Sequence, residues 1–388
     1  MGPLQGYRLI EIAGIGPSQY AAMMLADLGA EVIRIDRVRA ADLGIAVPAK
    51  FELLNRGRRS VAVNLKDPAG VETVLRLCER ADGLFEGFRP GVMEQLGLGP
   101  EVCQARNPRL IYGRMTGFGQ TGPLAKSAGH DPNYIALTGA LDAIGERGGP
   151  PVLPLNIVGD FGGGGTFLAM GMLTGLLECA RSGRGQVIDC AMVDGALSLM
   201  TLFYGLQAAG MWHEERGTNI LGGGSHFFSV YRTRDDKYIV IGPVENRFYR
   251  LLLAKLEIED KDFQDQFNEA RWPELKERLQ KVFLTRTRAE WCELLEGTDA
   301  CFSPVLGMTE AHTHPHNRER EAFTELDGVR QPAPAPRFSR TPATIQRPPA
   351  EPGQHTRAVL EDWGFSGDEI DTLLANQVIA HFHIKAKR

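Results

Sequence analysis

The run from Leu9 to Asp36 constrains the chain most. Leu9 to Ala13 is an apolar strand pattern, Gly14-Ile15-Gly16-Pro17 interrupts it, and Ala21, Met24, Leu25 and Leu28 then recur at the spacing of one helical face. Pro17 suits a first helical position, where its missing N–H costs nothing, and Gly29 suits the place just beyond a helix end. A second strand pattern, Glu31 to Asp36, follows at once. The alternation continues with a helix around Val71 to Arg80 and strands at Leu84 to Gly87 and Leu110 to Met115. Strands alternating with helices predict an α/β fold: a Rossmann-like large domain whose mostly parallel sheet is covered on both faces.

Strand, Gly14-x-Gly16, helix, strand and Asp36 also come close to the nicotinamide fingerprint, in which glycines admit a pyrophosphate and a later acid binds ribose. Two residues speak against it. Gln19 stands where the third glycine belongs, and Pro17 removes a backbone donor where phosphate would be cradled. A tight strand-to-helix turn accounts for Gly14 and Gly16 without any nucleotide.

Further on, Gly162 to Arg181 opens on four glycines and spaces Phe167, Met170, Leu173, Thr174 and Leu177 as the buried face of a helix; Gly185 to Ala191 resumes a strand. The texture changes near Gly222. Phe227 to Arg232 and Tyr238 to Ile241 read as a hairpin around Asp235-Asp236, and amphipathic helices follow at Arg247 to Leu256, Trp272 to Phe283 and Ala289 to Leu295. With 388 residues the chain is too long for one compact core. The expected division is a large domain over 1–200, a linker over 201–224, a smaller α+β domain over 225–325 and a return segment over 326–388 that completes the large domain. Gln331 to Pro352, rich in Pro, Arg and Thr, would cross the surface on the way back.

Several functions find no support. A net charge of -5 from 43 basic and 48 acidic residues gives no footprint for nucleic acid or an anionic membrane. The longest helical apolar run, Phe167 to Leu177, is closed by Glu178, short of the roughly 18 residues that span a bilayer. The six cysteines are scattered without a C-x-x-C pair and read as reduced thiols. His312, His314 and His316 are interrupted by Pro315 and lack an acid or cysteine partner at ligand spacing, so no metal is expected. No Walker lysine or G-x-S-x-G elbow occurs. The first residues lack a signal layout and the closing Lys385-Ala-Lys-Arg388 is not a Ser-Lys-Leu address. A cytoplasmic location is expected, with a peroxisome or mitochondrion the alternative in a eukaryote.

Three places carry candidate chemistry. In the loop beyond the strand at Leu110 to Met115, His130 and Asp131 precede Pro132, which can open a helix through Tyr134; backbone N–H groups there suit a developing oxyanion, while a plain capping histidine is the competing reading. Asp160 stands before four glycines, either as a simple N-cap or beside bare backbone against which a bulky thioester lies. Glu245 lies just past the strand end Ile241-Gly242-Pro243 and by itself reads as a surface charge.

Taken together, several segments resemble the type III coenzyme A transferase family and, within it, the branch that racemises 2-methylacyl-CoA thioesters. They are Leu25-Ala-Asp-Leu-Gly-Ala-Glu-Val-Ile-Arg-Ile-Asp-Arg37, Glu86-Gly-Phe-Arg-Pro-Gly-Val92, Leu110 to Pro123, Ala128-Gly-His-Asp-Pro-Asn-Tyr134, Gly159-Asp-Phe-Gly-Gly-Gly164 and Gly185-Gln-Val-Ile-Asp189. The resemblance implies an interlocked homodimer and an acyl-CoA substrate, with no cofactor beyond the coenzyme A of that substrate. It implies that His130 and Asp160 are two bases flanking carbon 2, that the Asp131 N–H stabilises the enolate oxygen, and that Glu245 orients His130. In the transferases the aspartate matching Asp160 is instead a nucleophile, so coenzyme A transfer between carboxylic acids is the alternative activity. Ile15, Arg37, Arg58, Lys66, Gly87, Phe88, Arg89 and Tyr134 would meet the coenzyme. The chain departs from the racemase pattern at Gly222, at Ser225-His226 and at Asn246-Arg247, all expected at the acyl pocket, and at Gln95, where a cation would contact phosphate.

Overall fold

The computed structural model describes residues 2–39 and 47–381, and all that follows concerns these. The closing Lys385 to Arg388 lies outside them. The chain divides into two compact units. The first comprises Met1–Thr138, Leu155–Met200 and Glu321–Arg388, the second Gly139–Pro154 and Thr201–Arg320.

The first unit is built on β1 (Arg8–Ile12), β2 (Glu31–Asp36), β3 (Arg59–Val63), β4 (Gly83–Glu86), β5 (Ile111–Thr116) and β6 (Val187–Ala191). From one edge the sheet runs Ile379–Ala380, β3, β2, β1, β4, β5, β6. All pairings are parallel except that of Ile379–Ala380 with β3. Strand residues alternate between two cores, as their period of two requires. Leu9, Val32, Phe85 and Ile111 enter one core, with α1 (Pro17–Asp27) and Leu168 and Met172 from α4 (Thr166–Ser182). Ile10, Ile33, Leu84 and Tyr112 enter the other, with α2 (Pro68–Cys78) and the late residues Val359, Leu360 and Trp363. The two ends of the chain thus meet in one core.

Helix α4 buries a different stripe from the one expected. Leu168, Ala169, Met172, Gly175, Leu176 and Cys179 face inward, while Met170 and Leu177 are 52% and 63% exposed. The helix is apolar all round, so periodicity offers two stripes, and close packing selects the one carrying the small residues. A Cβ on Gly175 would lie 2.9 Å from Ile111, and one on Gly113 would lie 2.8 Å from the Met172 sulfur.

In the second unit, β7 (Ser229–Arg232), β8 (Tyr238–Ile241) and β9 (Phe302–Val305) form an antiparallel sheet in that order. The expected hairpin is there, with Asp236 at φ 57 in its turn. Helices α6 (Asn246–Lys255), α7 (Trp272–Phe283) and α8 (Arg288–Leu295) supply Tyr249, Leu252, Leu275, Leu279 and Trp291 to the core. Strand β9 was not anticipated because Pro304 sits within it, and an edge position is what a proline permits.

The boundaries differ from the sequence division. Residues 139–154 and 201–224 belong to the second unit: Arg216 donates to the carbonyls of Asp142 and Gly149 at 2.8 Å each, joining the two stretches, and Lys276 of α7 donates to the Gly223 carbonyl at 2.7 Å. The first unit resumes at Glu321, with a hairpin of Phe323–Leu326 and Val329–Pro332. Beyond it the chain docks beside the end of α1, where Thr344 N–H meets the Asp27 carbonyl at 3.0 Å and the Gln346 amide meets the Ala26 carbonyl at 2.7 Å.

Candidate active site

The strand order reverses between β1 and β4, and open parallel sheets bind ligands outside the carboxyl ends of the strands at that place. Two loops from the sequence analysis meet there. A Cβ on Gly14 after β1 would come within 3.9 Å of the Gly87 Cα after β4. Beyond β1, a cleft of about 900 Å3 is lined by Ile15, Arg37, Arg39, Phe51, Leu54 and His381, among others. Asp36 reaches its wall, but its carboxylate is already held by Arg34 at 2.8 Å and Ser60 at 2.5 Å. The acid that a nicotinamide ribose would need is therefore engaged within the protein.

After β5 the chain turns through Gly117 to Gly129 into the short helix α3 (Asp131–Ile135). Tyr134 of α3 packs edge-on to Phe118 with centroids 5.0 Å apart and donates its hydroxyl to the Gly129 carbonyl. His130 precedes α3, with its N–H on Asn133 Oδ1 at 3.0 Å and its side chain exposed. Asp131 is fully buried, and its Oδ2 accepts the Asp160 N–H at 2.7 Å.

Asp160 is not a helix N-cap. It lies inside a wide π-helical segment, Ile157–Gly165, that runs directly into α4 and carries an i to i−5 bond from Phe161 N–H to the Asn156 carbonyl at 3.1 Å. Such turns are rare and concentrate at functional sites. Asn156 donates to Asp160 Oδ2 at 2.6 Å, and burial pushes the Asp160 carboxyl above its ordinary range. The Asp131 charge adds to that rise; the Asn156 bond and the His130 charge oppose it. Gly16 comes close too: at φ 66, a Cβ there would lie 3.2 Å from Asp160 Oδ2. The glycine that looked like a nucleotide signal leaves room for a carboxylate.

The four glycines after Asp160 do not present bare backbone to a ligand. A Cβ on Gly163 would lie 2.7 Å from the Ala196 nitrogen, and one on Gly164 2.8 Å from Met192, so the run admits the helix α5 (Met192–Leu199).

Among the residues expected at the coenzyme, Ile15 and Arg37 line the cleft. Gly87, Phe88 and Arg89 follow β4, with Phe88 N–H on Glu86 Oε2 at 2.7 Å. Burial pushes Glu86 up to about 7, against its bonds to Phe88 and Arg114. Burial likewise pushes the Tyr134 phenol up to about 12; the Asp160 charge raises it and the Arg89 charge opposes, so these three groups share one field. Lys66 is exposed beyond β3 and is not among the cleft residues. Arg58 leaves the set altogether. It is 1% exposed, ion-paired to Glu11 at 3.0 Å and bonded to the Gln19 carbonyl and Asn55 Oδ1, with burial pushing it down to about 10. A guanidinium so enclosed braces the sheet and offers phosphate nothing.

Glu245 lies in the second unit, exposed, directly before α6, and caps that helix through its carbonyl rather than its side chain. Ser225 and His226, expected at an acyl-pocket rim, are instead fully buried in that unit. The His226 ring bonds the Tyr249 hydroxyl at 2.7 Å and burial pushes it down to about 4. Gly222 is half-buried, while Asn246, Arg247 and Gln95 are exposed. Sequence reasoning missed Asn156, whose spacing of four residues before Asp160 was the available signal. Among the described residues no cluster of three His, Cys, Asp or Glu side chains suits a metal, and no helix is long and apolar enough to cross a membrane.

Residues 4–356 match CoA-transferase family III. The chain is 45% identical to alpha-methylacyl-CoA racemase of Mus musculus over 386 residues, covering 99% of both chains. It is 42% identical to alpha-methylacyl-CoA racemase of Homo sapiens over 388 residues, again covering 99% of each. A crystal structure of a CaiB/BaiF family protein from Brucella suis matches with TM-score 0.81 at 26% identity, over 93% of this chain and 99% of that one.

Proposed function

We propose, from the premise that this chain belongs to CoA-transferase family III, that it is an isomerase inverting carbon 2 of 2-methylacyl-CoA thioesters. The observation that carries this reading is geometric: the Asp160 N–H bonds the carboxylate of Asp131 at 2.7 Å, which brings the residue next to His130 onto the aspartate that the family shares. Inversion calls for two bases, because one base returning its own proton restores the starting isomer. His130 removes the carbon 2 proton from one epimer while Asp160 delivers one to the opposite face, and the roles exchange for the other epimer. A carboxyl raised by burial suits delivery, since a general acid works best with its pKa near the working pH.

The enolate between these steps carries its charge on the thioester oxygen. The Asp131 N–H opens the first turn of α3, where no intrahelical acceptor exists, and is assigned to that oxygen; such a donor is worth about 3 kcal/mol. Glu245 is assigned to orient His130 in the assembled enzyme. For the coenzyme, the cleft with Ile15 and Arg37 and the Gly87-Phe88-Arg89 loop are the proposed contacts, with Lys66 an outlying cation. The thioester supplies the coenzyme, so the reaction is proposed to need no further cofactor. A homodimer is part of the same reading, and the apolar residues left exposed on α4 support it.

Incubating a single 2-methylacyl-CoA epimer with the protein in heavy water tests the proposal. Deuterium should enter carbon 2 without any acceptor acid, and His130→Ala should lower that rate by about 10²-fold or more. No exchange, together with transfer of coenzyme A to an added carboxylic acid, would replace this reading with covalent transfer through Asp160.

A further inference from the structure

His130 lies in a loop and Asp160 in the π-helical segment, and Asp131, the residue after His130, is 29 residues from Asp160 in sequence. Two bases acting on opposite faces of one carbon must keep their separation to a fraction of an ångström, because a misplacement of about 1 Å can cost about 10²-fold in rate. One bond spans the gap. Asp131, the residue after His130, is fully buried and accepts the Asp160 N–H on Oδ2 at 2.7 Å. The fit is built in from the other side as well: a Cβ on Gly159 would lie 2.5 Å from that same oxygen, so residue 159 has to be glycine for the carboxylate to reach its donor.

The rest of the carboxylate is poorly compensated. Asp131 Oδ1 has no hydrogen-bond partner among the described residues. A buried acceptor left unpaired works against folding, and nothing among the described residues offsets it at that oxygen. The Asp131 charge does have one effect: it adds to the burial that raises the Asp160 carboxyl.

We propose that the Asp131 side chain is a positioning residue, clamping the Asp160 peptide to the His130 loop and so fixing the two bases at one separation. The proposal rests on the racemase reading and adds to it, since the role assigned above to Asp131 concerns its backbone N–H alone.

Asp131→Ala and Asp131→Asn in the full-length protein separate this from a general structural role. Asparagine keeps the size and an oxygen for the Asp160 N–H but drops the charge; alanine removes both. For deuterium incorporation at carbon 2 we expect Asp131→Ala to lower kcat by about 10²-fold with KM within about twofold. Asp131→Asn should recover most of kcat, with the limb of the pH profile that reports Asp160 moved to lower pH. Amide hydrogen exchange at Asp160, read by mass spectrometry, should quicken in the alanine variant and stay near wild type in the asparagine variant. An undiminished kcat in Asp131→Ala, a loss that Asp131→Asn does not restore, or unchanged Asp160 protection in Asp131→Ala would each overturn the clamp. Wild-type protein that incorporates no deuterium would sink the racemase reading instead, and the amide exchange alone then decides the clamp.

Discussion

At the residue scale, burial decides what each ionisable group can do. Arg58 and Arg37 look alike in sequence, two cations flanking neighbouring strands, Arg37 just after β2 and Arg58 just before β3. One is sealed against Glu11 and the other opens on the cleft, and only the folded structure separates them. His226 is a second such case: expected from the resemblance at an acyl-pocket rim, it is wholly buried with its ring on Tyr249. Its pKa falls to about 4 against roughly 6.5 in an unfolded chain, so between those values the unfolded state binds the extra proton. Its contribution is therefore intact above pH 6.5 and is lost as the pH falls through 4, an effect of a few kcal/mol at most. Urea midpoints between pH 7 and pH 4 should fall more steeply for wild type than for His226→Gln, which keeps a polar atom towards Tyr249. Equal slopes would mean that the ring takes up its proton without penalty.

At the element scale, what was legible was alternation and what was not was contact. Strands β1, β2, β4, β5 and β6, helix α1 and the β7–β8 hairpin follow from period, proline and glycine placement, because each is fixed by its own residues, whereas β3 finds no such signal. The π-helical segment does not follow either, since nothing local distinguishes a glycine run that bares backbone from one that admits another helix. The buried face of α4 was misread for the same reason. Gly163 shows the consequence. Its missing Cβ would meet the Ala196 nitrogen at 2.7 Å and the Gly195 and Val158 backbones at 3.1 Å, none of which can swing aside. Gly163→Ala should cost about 1–3 kcal/mol, the usual range for overpacking, and lower the thermal midpoint. Because the strain falls three residues from Asp160, kcat should drop with it. Gly367→Ala, with nothing within 4 Å, is the control and should do neither. An unchanged midpoint for Gly163→Ala would show that α5 can shift to make room.

At the scale of the whole molecule, the resemblance carried what periodicity could not. His130 and Asp160 were each ambiguous alone, a cap or a base, and only the joint pattern of six segments made them partners; the Asp160 peptide and the Asp131 carboxylate then supply the physical link. The homodimer came from the resemblance alone, and the folded chain offers a place to test it. Met170 and Leu177 lie seven residues apart on α4, two turns along one face, and both are more than half exposed although large apolar side chains gain about 1.5–3 kcal/mol each from full burial. An aspartate at such a site costs an isolated chain little, commonly within about 0.5 kcal/mol, whereas beneath a second copy it would be a buried charge without a partner. Leu177→Asp should therefore leave the thermal midpoint of a monomer unmoved but split a dimer. Sedimentation equilibrium should give two chains for wild type and one for Leu177→Asp at the same concentration. A wild-type mass of one chain would end the dimer proposal, and a variant that stays at two chains would move the interface away from this face of α4.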